Sequence, residues 1–273
     1  MYNDLFSIGP VTIHGYGLMI GIGFLCCVLM GTYRAKKYDM DKNAAIDIAL
    51  LGVFIGFIGA KILYIIVEFD WFIRDPLAVL GSEGFVVYGG IVAGVAAAII
   101  YCRKRRLVFL EYFDLLAPTI SIAQGFGRIG CFLAGCCYGR ETSSFLGVTF
   151  PEGSIAPAGV PLLPTQLFSA AGNLAIMGIL IWYYKRRKHT GDVGAMYLLL
   201  YSVGRFIIEF FRSDDRGAVA FLSTSQFISI FIAAVAILMF FLDRRRGARV
   251  SAGAEPSAED APSDSAASEE GNE

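Results

Sequence analysis

Two arginines lie inside long apolar stretches of this 273-residue chain. Arg128 interrupts the stretch from Phe109 to Gly135, and Arg205 interrupts the stretch from Val193 to Phe211, which also contains Glu209. A guanidinium group presents a planar fork of N–H donors that binds phosphate oxygens in pairs. The two arginines therefore predict a binding site for an anionic phosphate group in apolar surroundings.

Seven apolar segments are long enough to hold such arginines inside a membrane. The chain is 56% hydrophobic and 17% charged, with a mean hydropathy of +0.60, whereas soluble domains carry about 25% charged residues. A membrane-spanning helix needs about 20 mainly apolar residues. The sequence predicts an all-α, polytopic integral membrane protein with seven transmembrane helices at residues 14–33, 45–67, 85–102, 109–135, 166–184, 193–211 and 225–242.

Basic residues alternate between the loops and indicate the orientation of the helices. Four Lys or Arg residues follow each of the first, third, fifth and seventh spans, whereas the other loops carry only Arg74, Arg140, Arg212 and Arg216. Short loops rich in Lys and Arg stay in the cytoplasm. The N-terminus is therefore predicted outside and the C-terminus in the cytoplasm. Residues 1–250 form the predicted membrane domain, and residues 251–273 form a disordered acidic cytoplasmic tail.

With this orientation, the unusual polar side chains of six helices fall at one depth, toward the outer surface. They are Tyr16, Lys61, Tyr88, Arg128, Gln166, Arg205 and Glu209. Arg128 lies about 10 Å inside the outer end of the fourth span, at about 1.5 Å of rise per residue. Gly127 and Gly130 flank it, and glycines let a bulky ligand approach the backbone closely. The pattern predicts one positively charged cavity that opens to the outer leaflet.

Most of these side chains also have a purely structural interpretation. Tyrosines are typical of the aromatic belt at a membrane interface, and Lys61 can extend its amine toward the surface. Glu209 can neutralise Arg205, which lies one helical turn away. Arg128 has no acidic neighbour within a turn and lies too deep to reach the surface. It is therefore the residue that most strongly predicts a functional site.

Three cysteines follow Arg128 in the pattern Cys131-x4-Cys136-Cys137. The pattern lacks the C-x2-C spacing of zinc or thioredoxin-like sites, and neither histidine lies near it. We therefore predict no metal and no other cofactor. Two other classes stay open, a lipid-binding flippase or transporter and a membrane thiol-redox protein. Nucleic-acid binding is not expected, because the basic residues form separate clusters between apolar runs.

The string GFGRIGCFLAGCCYGR at residues 125–140 resembles the signature of prolipoprotein diacylglyceryl transferases, G-R-x-G-N-F-x-N-x-E-x-x-G. Further similar segments follow in family order. They are SIGPVTIHGYGLM, GFIGAKILY, VYGGIVAG, DLLAP, LPTQLF and YSVGRFIIEFFRSDD. The resemblance covers residues 5–242, and the family also has seven helices.

The resemblance implies a function. The family moves the diacylglyceryl group of phosphatidylglycerol onto the lipobox cysteine thiol in the signal peptide of a preprolipoprotein, and a thioether forms. The expected location is the bacterial inner membrane, with the active cavity facing the outer side. The expected catalytic residues are Arg128, Arg205, Tyr88, Tyr201 and Glu209. The expected phosphatidylglycerol-binding residues are Arg128, Arg205, Tyr16, Gly127, Gly130, Gln166 and Lys61.

The chain departs from the family pattern at several site positions. The signature's two Asn and its Glu, the His of the third span and the Arg of the second span are here Cys131, Ala134, Cys136, Tyr88 and Lys61. A thiol with a pKa of about 8.5 must lose its proton to react. The proton acceptor stays open among Tyr88, Glu209 and a lipid phosphate oxygen.

The predicted orientation can be tested by labelling two loops in a variant that lacks the native cysteines. A cysteine introduced at Ser143 should react with a membrane-impermeant maleimide in intact cells, and one introduced at Thr190 should react only after lysis. Labelling is measured by the mass shift of the protein. The reverse pattern would contradict an outward-facing site.

Overall fold

The computed structural model describes residues 4–8, 11–82, 84–213, 218–219 and 222–252. Their helices are α1 (Gly15–Lys37), α2 (Lys42–Val67), α3 (Phe69–Arg74), α4 (Pro76–Gly81), α5 (Val87–Lys104), α6 (Phe109–Ala134), α7 (Thr165–Tyr184), α8 (Asp192–Glu209) and α9 (Thr224–Ala252). Three two-stranded antiparallel sheets pair β1 (Asp4–Ile8) with β2 (Val11–His14), β3 (Val148–Thr149) with β4 (Pro161–Leu162), and β5 (Ala218–Val219) with β6 (Leu222–Ser223).

The long helices coincide with the apolar segments of the sequence. Five of them, α1, α2, α5, α7 and α9, are long and apolar enough to cross a membrane by length and composition. The two long helices that are not in this group, α6 and α8, carry Arg128 and Arg205. The protein is therefore mainly helical, with several helices suited to a membrane.

Several boundaries differ from the predicted ones by a few residues. The first helix continues past Tyr33 to Lys37, because Arg34, Lys36 and Lys37 in its last turn favour the negative end of the helix dipole. The last helix continues past Leu242 to Ala252. It thus includes the first two residues of the predicted tail, whose remaining residues, 253–273, lie outside the described part of the chain.

Helix α6 lies at the centre of the bundle. It packs against α1, α7 and α8, while α9 packs against α8. Thr119 on α6 accepts a hydrogen bond of 3.3 Å from Cys27 on α1, and Ser121 Oγ donates one of 2.8 Å to Asn173 O on α7. The central helix therefore has a neighbour on most of its circumference.

Helices α2 and α5 form a second pair, which packs against the bundle mainly through α1. Glycines let their backbones approach closely, as small residues do between membrane helices. A Cβ atom built on Gly59 would lie only 2.6 Å from the carbonyl oxygen of Gly89. Any larger residue at Gly59 would therefore push the two helices apart.

The base of the bundle is organised around the carboxylate of Asp114, which is fully buried on α6. Its oxygens accept hydrogen bonds of 2.8 Å from the backbone N–H groups of Gly191 and Gly194, at the start of α8. Arg187 Nη1 lies 2.7 Å from Asp114 Oδ2. The carboxylate thus satisfies donors at a helix N-terminus, where anions are favoured.

Two arginines from the basic clusters of the sequence, Arg34 and Arg187, stabilise the same region by packing on the ring of Tyr184. The guanidinium carbons of Arg34 and Arg187 lie 4.5 and 4.2 Å from the ring centroid of Tyr184. Arg34 is 3% exposed, and its Nε donates a hydrogen bond of 2.9 Å to Leu115 O. These basic residues, expected from the sequence to face the cytoplasm, therefore also hold α1 and α7 to α6.

The contact between Asp114 and Gly191 fixes the register of α6 and α8. Arg128 lies 14 residues beyond Asp114, and Arg205 lies 14 residues beyond Gly191. Both helices run the same way from this contact and rise about 1.5 Å per residue. The two arginines therefore reach the same height, about 21 Å from the shared base.

Replacing Asp114 by Asn should lower the melting temperature of the detergent-solubilised protein by several degrees. The amide cannot balance Arg187, and breaking a buried ion pair costs about 3–5 kcal/mol. Asp47→Asn is the matched control, because Asp47 accepts one hydrogen bond from Tyr101 that an amide oxygen can also accept. Equal melting temperatures for the two variants would contradict this role of Asp114.

Candidate active site

Three arginines meet where α6 and α8 approach their last residues. Arg128 lies near the end of α6, Arg205 lies one turn before the end of α8, and Arg212 lies three residues beyond the end of α8. The charges of Arg128 and Arg212 both act on Arg205. We refer to Arg128, Arg205 and Arg212 as the arginine cluster. The structure thus brings together the two arginines that the sequence singled out.

Arg205 is held in place by two partners. Its Nη1 lies 2.8 Å from Glu209 Oε2, and its Nη2 donates a hydrogen bond of 2.8 Å to Ser225 Oγ at the start of α9. The Arg205 and Glu209 side chains are 12% and 7% exposed, so water screens the pair weakly. Glu209 therefore neutralises one charge of the arginine cluster.

Arg128, unlike Arg205, has no counter-ion among the residues that the structure describes. Within the described part of the chain it forms no hydrogen bond and no ion pair, although it is half-buried. Its charge interacts with Tyr201, with the thiols of Cys131 and Cys137, and with Arg212. The donors of Arg128 thus remain available to an anionic ligand that enters the site.

Backbone hydrogen bonds join the segment after α6 to the segment after α8. Gly139 and Arg212 pair as an isolated antiparallel bridge, and the Arg140 N–H donates a hydrogen bond of 2.9 Å to Phe211 O. The side chain of Arg212 also hydrogen-bonds the thiol of Cys137. These contacts hold Arg212 beside the end of α6.

Two tyrosines face the arginine cluster from different helices. Tyr201, on α8, interacts with the charges of both Arg128 and Arg205. Tyr16, in the first turn of α1, interacts with Arg128 and packs beside Gly130, where an added Cβ atom would lie 3.2 Å from the tyrosine ring. Phenol groups at these positions can donate hydrogen bonds to an anion.

Gln166 and Gly127 lie near the arginine cluster and complete the candidate site. Gln166 is 1% exposed, and its Nε2 donates a hydrogen bond of 2.7 Å to Cys136 O, while its Oε1 has no hydrogen-bond partner in the described chain. Among the described residues, none has an atom within 4 Å of a Cβ atom built on Gly127. The helix surface next to Arg128 is therefore open to a ligand.

Lys61 and Tyr88 lie on the other pair of helices, α2 and α5. Lys61 Nζ donates hydrogen bonds of 2.7 Å to Ser82 O and 3.3 Å to Gly84 O, and lies 4.9 Å from the centroid of the Phe85 ring. Tyr88 is 42% exposed in the first turn of α5. In the described residues, no hydrogen bond, ion pair or ring contact joins either side chain to the arginine cluster.

Three thiols lie beside Arg128 and form a group that the sequence pattern did not predict. The sulfur atoms of Cys131, Cys136 and Cys137 are all within 4.8 Å of one another, and the three residues are half-buried. Cys137 has a φ of 62°, the left-handed region that a non-glycine residue rarely adopts. This turn cannot be recognised from residue spacing. We refer to Cys131, Cys136 and Cys137 as the thiol cluster.

Ser225 is a second residue that the sequence did not indicate. It is 7% exposed and holds Arg205 from α9. A serine at the start of an apolar helix is common at any helix N-terminus. No sequence signal distinguishes one that binds an arginine on a neighbouring helix.

Apolar helices that surround a basic, partly buried cluster are typical of a multi-pass membrane protein with a group of positive charges at one end of its bundle. The sequence model described as prolipoprotein diacylglyceryl transferase matches residues 3–242. The chain belongs to this family.

Two relatives illustrate the similarity. Phosphatidylglycerol–prolipoprotein diacylglyceryl transferase 2 of Clostridium perfringens (strain 13 / Type A) is 44% identical over 237 residues, which are 86% of this chain and 93% of the relative. Phosphatidylglycerol–prolipoprotein diacylglyceryl transferase of Clostridium tetani (strain Massachusetts / E88) is 42% identical over 244 residues, 89% of this chain and 98% of the relative.

Replacing Lys61 by Met should loosen the segment between α2 and α5 without changing the arginine cluster. The methionine keeps the apolar stem but loses the donors that hold Ser82 and Gly84. Limited proteolysis in detergent should cut residues 68–86 several-fold faster than in the parent protein. Lys42→Met, at the exposed first residue of α2, is the control. Unchanged cleavage in Lys61→Met would contradict this anchoring role.

Proposed function

We propose that this chain transfers the diacylglyceryl group of phosphatidylglycerol to the thiol of the lipobox cysteine in the signal peptide of a prolipoprotein. Its family and the names of relatives that are 44% and 42% identical support this reaction. In the structure the main support is Arg128, which faces two other arginines and has no counter-ion within the described residues.

We further propose that all seven long helices cross the bacterial inner membrane, with the N-terminus outside and the C-terminus in the cytoplasm. The alternation of basic loops supports this orientation. It puts the Asp114 centre near the cytoplasmic face and the arginine cluster toward the outer face. A lipid of the outer leaflet could then enter the site sideways, beside the open surface at Gly127.

The proposed role of the arginine cluster is to bind the lipid phosphate. Glu209 compensates one of the three positive charges, and the remaining excess favours an anion. Because Arg205 is fixed by Glu209 and Ser225, Arg128 is the arginine whose donors a phosphate would engage first. Tyr16 and Tyr201 would donate further hydrogen bonds to the same group.

The reaction is a displacement at the glyceryl carbon that bears the phosphate. The lipobox sulfur forms a C–S bond to that carbon, and the C–O bond to phosphate breaks. The electron pair of the broken bond stays on the oxygen, so glycerol phosphate leaves, and the thiol proton passes to it or to water. Charge grows on the leaving phosphate, where fixed donors stabilise the transition state more than the ground state.

The other predicted catalytic residues take supporting parts in this proposal. Glu209 would orient Arg205, with which it forms an ion pair. Tyr88 would need the bound substrate to bridge it to the arginine cluster, and Lys61 would order the segment through which the substrate passes. Gln166 would fix the backbone at Cys136.

Replacing Arg128 by Ala should lower turnover of phosphatidylglycerol with a lipobox peptide by about 10²–10³, the usual loss when one donor to a developing anion is removed. Arg128→Lys should also be severely impaired, because lysine keeps the charge but lacks the bidentate fork. Arg128→Ala should insert normally, since it removes a costly intramembrane charge. Arg128→Lys should also insert normally, because it keeps the charge that the parent protein already carries at this position.

The control for Arg128 is Arg74→Ala, which removes an arginine from the exposed helix α3. Its turnover should match that of the parent protein at equal membrane expression. If Arg128→Ala kept more than about a tenth of parental turnover, the phosphate-binding role of Arg128 would be wrong.

A further inference from the structure

The thiol cluster has no part in the phosphate-binding role proposed above, although it lies against the same arginines. Cys131 and Cys137 both interact with the charge of Arg128, and Arg212 donates a hydrogen bond to the sulfur of Cys137. Tyr16 interacts with Arg128 and with all three thiols. The thiols therefore lie next to the point where the lipid phosphate would bind.

The spacing of the three sulfur atoms suits one metal ion. Their mutual distances are all within 4.8 Å. Zinc bound by thiolates has Zn–S distances of about 2.3 Å and tetrahedral geometry, which requires sulfur atoms about 3.8 Å apart. Small changes in side-chain torsion angles would close this difference. None of the chain's six cysteines, all in the described part, forms a disulfide.

The backbone holds the thiols on one side by an unusual turn. Consecutive side chains of an extended segment point to opposite faces, but the positive φ values of Gly135 and Cys137 break this alternation. Thr165 Oγ1 donates a hydrogen bond of 2.8 Å to Cys137 O, and Gln166 binds Cys136 O. A strained conformation that its neighbours hold in place is typical of functional sites.

The charges around the cluster also favour a thiolate–metal group. Three thiolates and one divalent ion together carry one negative charge, which offsets one of the two positive charges of Arg128 and Arg212 and leaves the other for the lipid phosphate. Soft thiolate ligands select zinc or copper(I) among common metals, and zinc has no redox chemistry of its own. The described residues near the cluster thus offer both the ligands and the compensating charge.

We propose that Cys131, Cys136 and Cys137 bind one zinc ion through three thiolates and leave a fourth position for the sulfur of the lipobox cysteine. A zinc site with three protein ligands and an open position is typical of catalysis, and a thiol that coordinates zinc is deprotonated. The inference deepens the proposed function, on which it rests, by naming the group that prepares the nucleophile.

The proposed step balances with the transfer reaction. The lipobox thiol coordinates the zinc and releases its proton to water. The bound sulfur then forms the C–S bond to the glyceryl carbon, while the C–O bond to phosphate breaks and its electron pair leaves with glycerol phosphate. The thioether product carries no charge, binds zinc weakly and departs. No side chain is required as a proton acceptor.

Metal analysis of the purified full-length protein tests the site without reference to activity. Protein prepared in metal-free buffers and supplied with zinc chloride should retain about one zinc ion per chain. Cys131→Ser, Cys136→Ser and Cys137→Ser should each retain less than about a tenth of that amount. Cys26→Ser, on α1 and outside the cluster, is the matched control and should bind zinc like the parent protein.

Cobalt(II) substitution of the parent protein tests the open position. The cobalt protein should show thiolate-to-cobalt charge-transfer absorption and the visible bands of a tetrahedral site. A lipobox peptide should shift these bands, whereas the same peptide with serine in place of cysteine should not. This measurement uses the unaltered chain, so it holds even where a cysteine variant fails to fold.

The outcomes separate the metal site from the proposed function. Zinc binding with a peptide-dependent cobalt spectrum supports the thiol site, even if the protein transfers no lipid from phosphatidylglycerol and the proposed function fails. Full transfer activity in zinc-free protein would overturn the metal proposal and leave the function standing. A disulfide within the cluster of the purified protein, or a cobalt spectrum indifferent to the peptide, would also overturn it.

Discussion

The buried carboxylate of Asp114 is the interaction on which the rest of the structure depends. It ties the first residues of α8 to α6 and compensates Arg187, whose guanidinium group shares the Tyr184 ring with Arg34. Because α6 and α8 then rise together, an ion pair at one end of the bundle decides which side chains meet at the other end. The arginine cluster is thus a consequence of register set about 21 Å away.

The two arginines at the far end of the bundle differ in how their charges are compensated. Arg205 is compensated by Glu209 and held by Ser225, so it behaves as a fixed part of the structure. Arg128 has no such partner within the described residues, and it borders the open surface at Gly127. An incoming phosphate would supply the missing charge. In the proposed function, this difference favours the binding of an anion at Arg128 over internal pairing.

The sequence predicted the long helices and offered the pairing of Arg205 with Glu209 as one interpretation, because hydrophobic length and i,i+4 spacing are local properties. It also indicated a common depth for the polar residues. Depth does not determine which side of a helix faces a neighbour, so the sequence could not show that Lys61 lies apart from the arginine cluster. Lys61 lies apart because α2 packs closely on α5 at Gly59 and Gly89. The sequence grouped Cys131, Cys136 and Cys137, but it did not predict that their sulfur atoms meet, because that depends on a left-handed turn at Cys137.

The proposed reaction needs a bound leaving phosphate and an attacking sulfur atom placed beside it, and residues at the end of α6 could position both. Arg128 and Cys131 lie three residues apart on one helix, so their Cα atoms are separated by about 4.5 Å along its axis and lie on the same face. A phosphate held by Arg128 and a sulfur atom held beside Cys131 would therefore stand on either side of the glyceryl carbon between them. In the proposed reaction, the end of α6 and the turn that directly follows it would set the distance between nucleophile and leaving group. A set distance is what displacement at a lipid carbon requires, because the reacting atoms must be brought to about 3–3.5 Å in line.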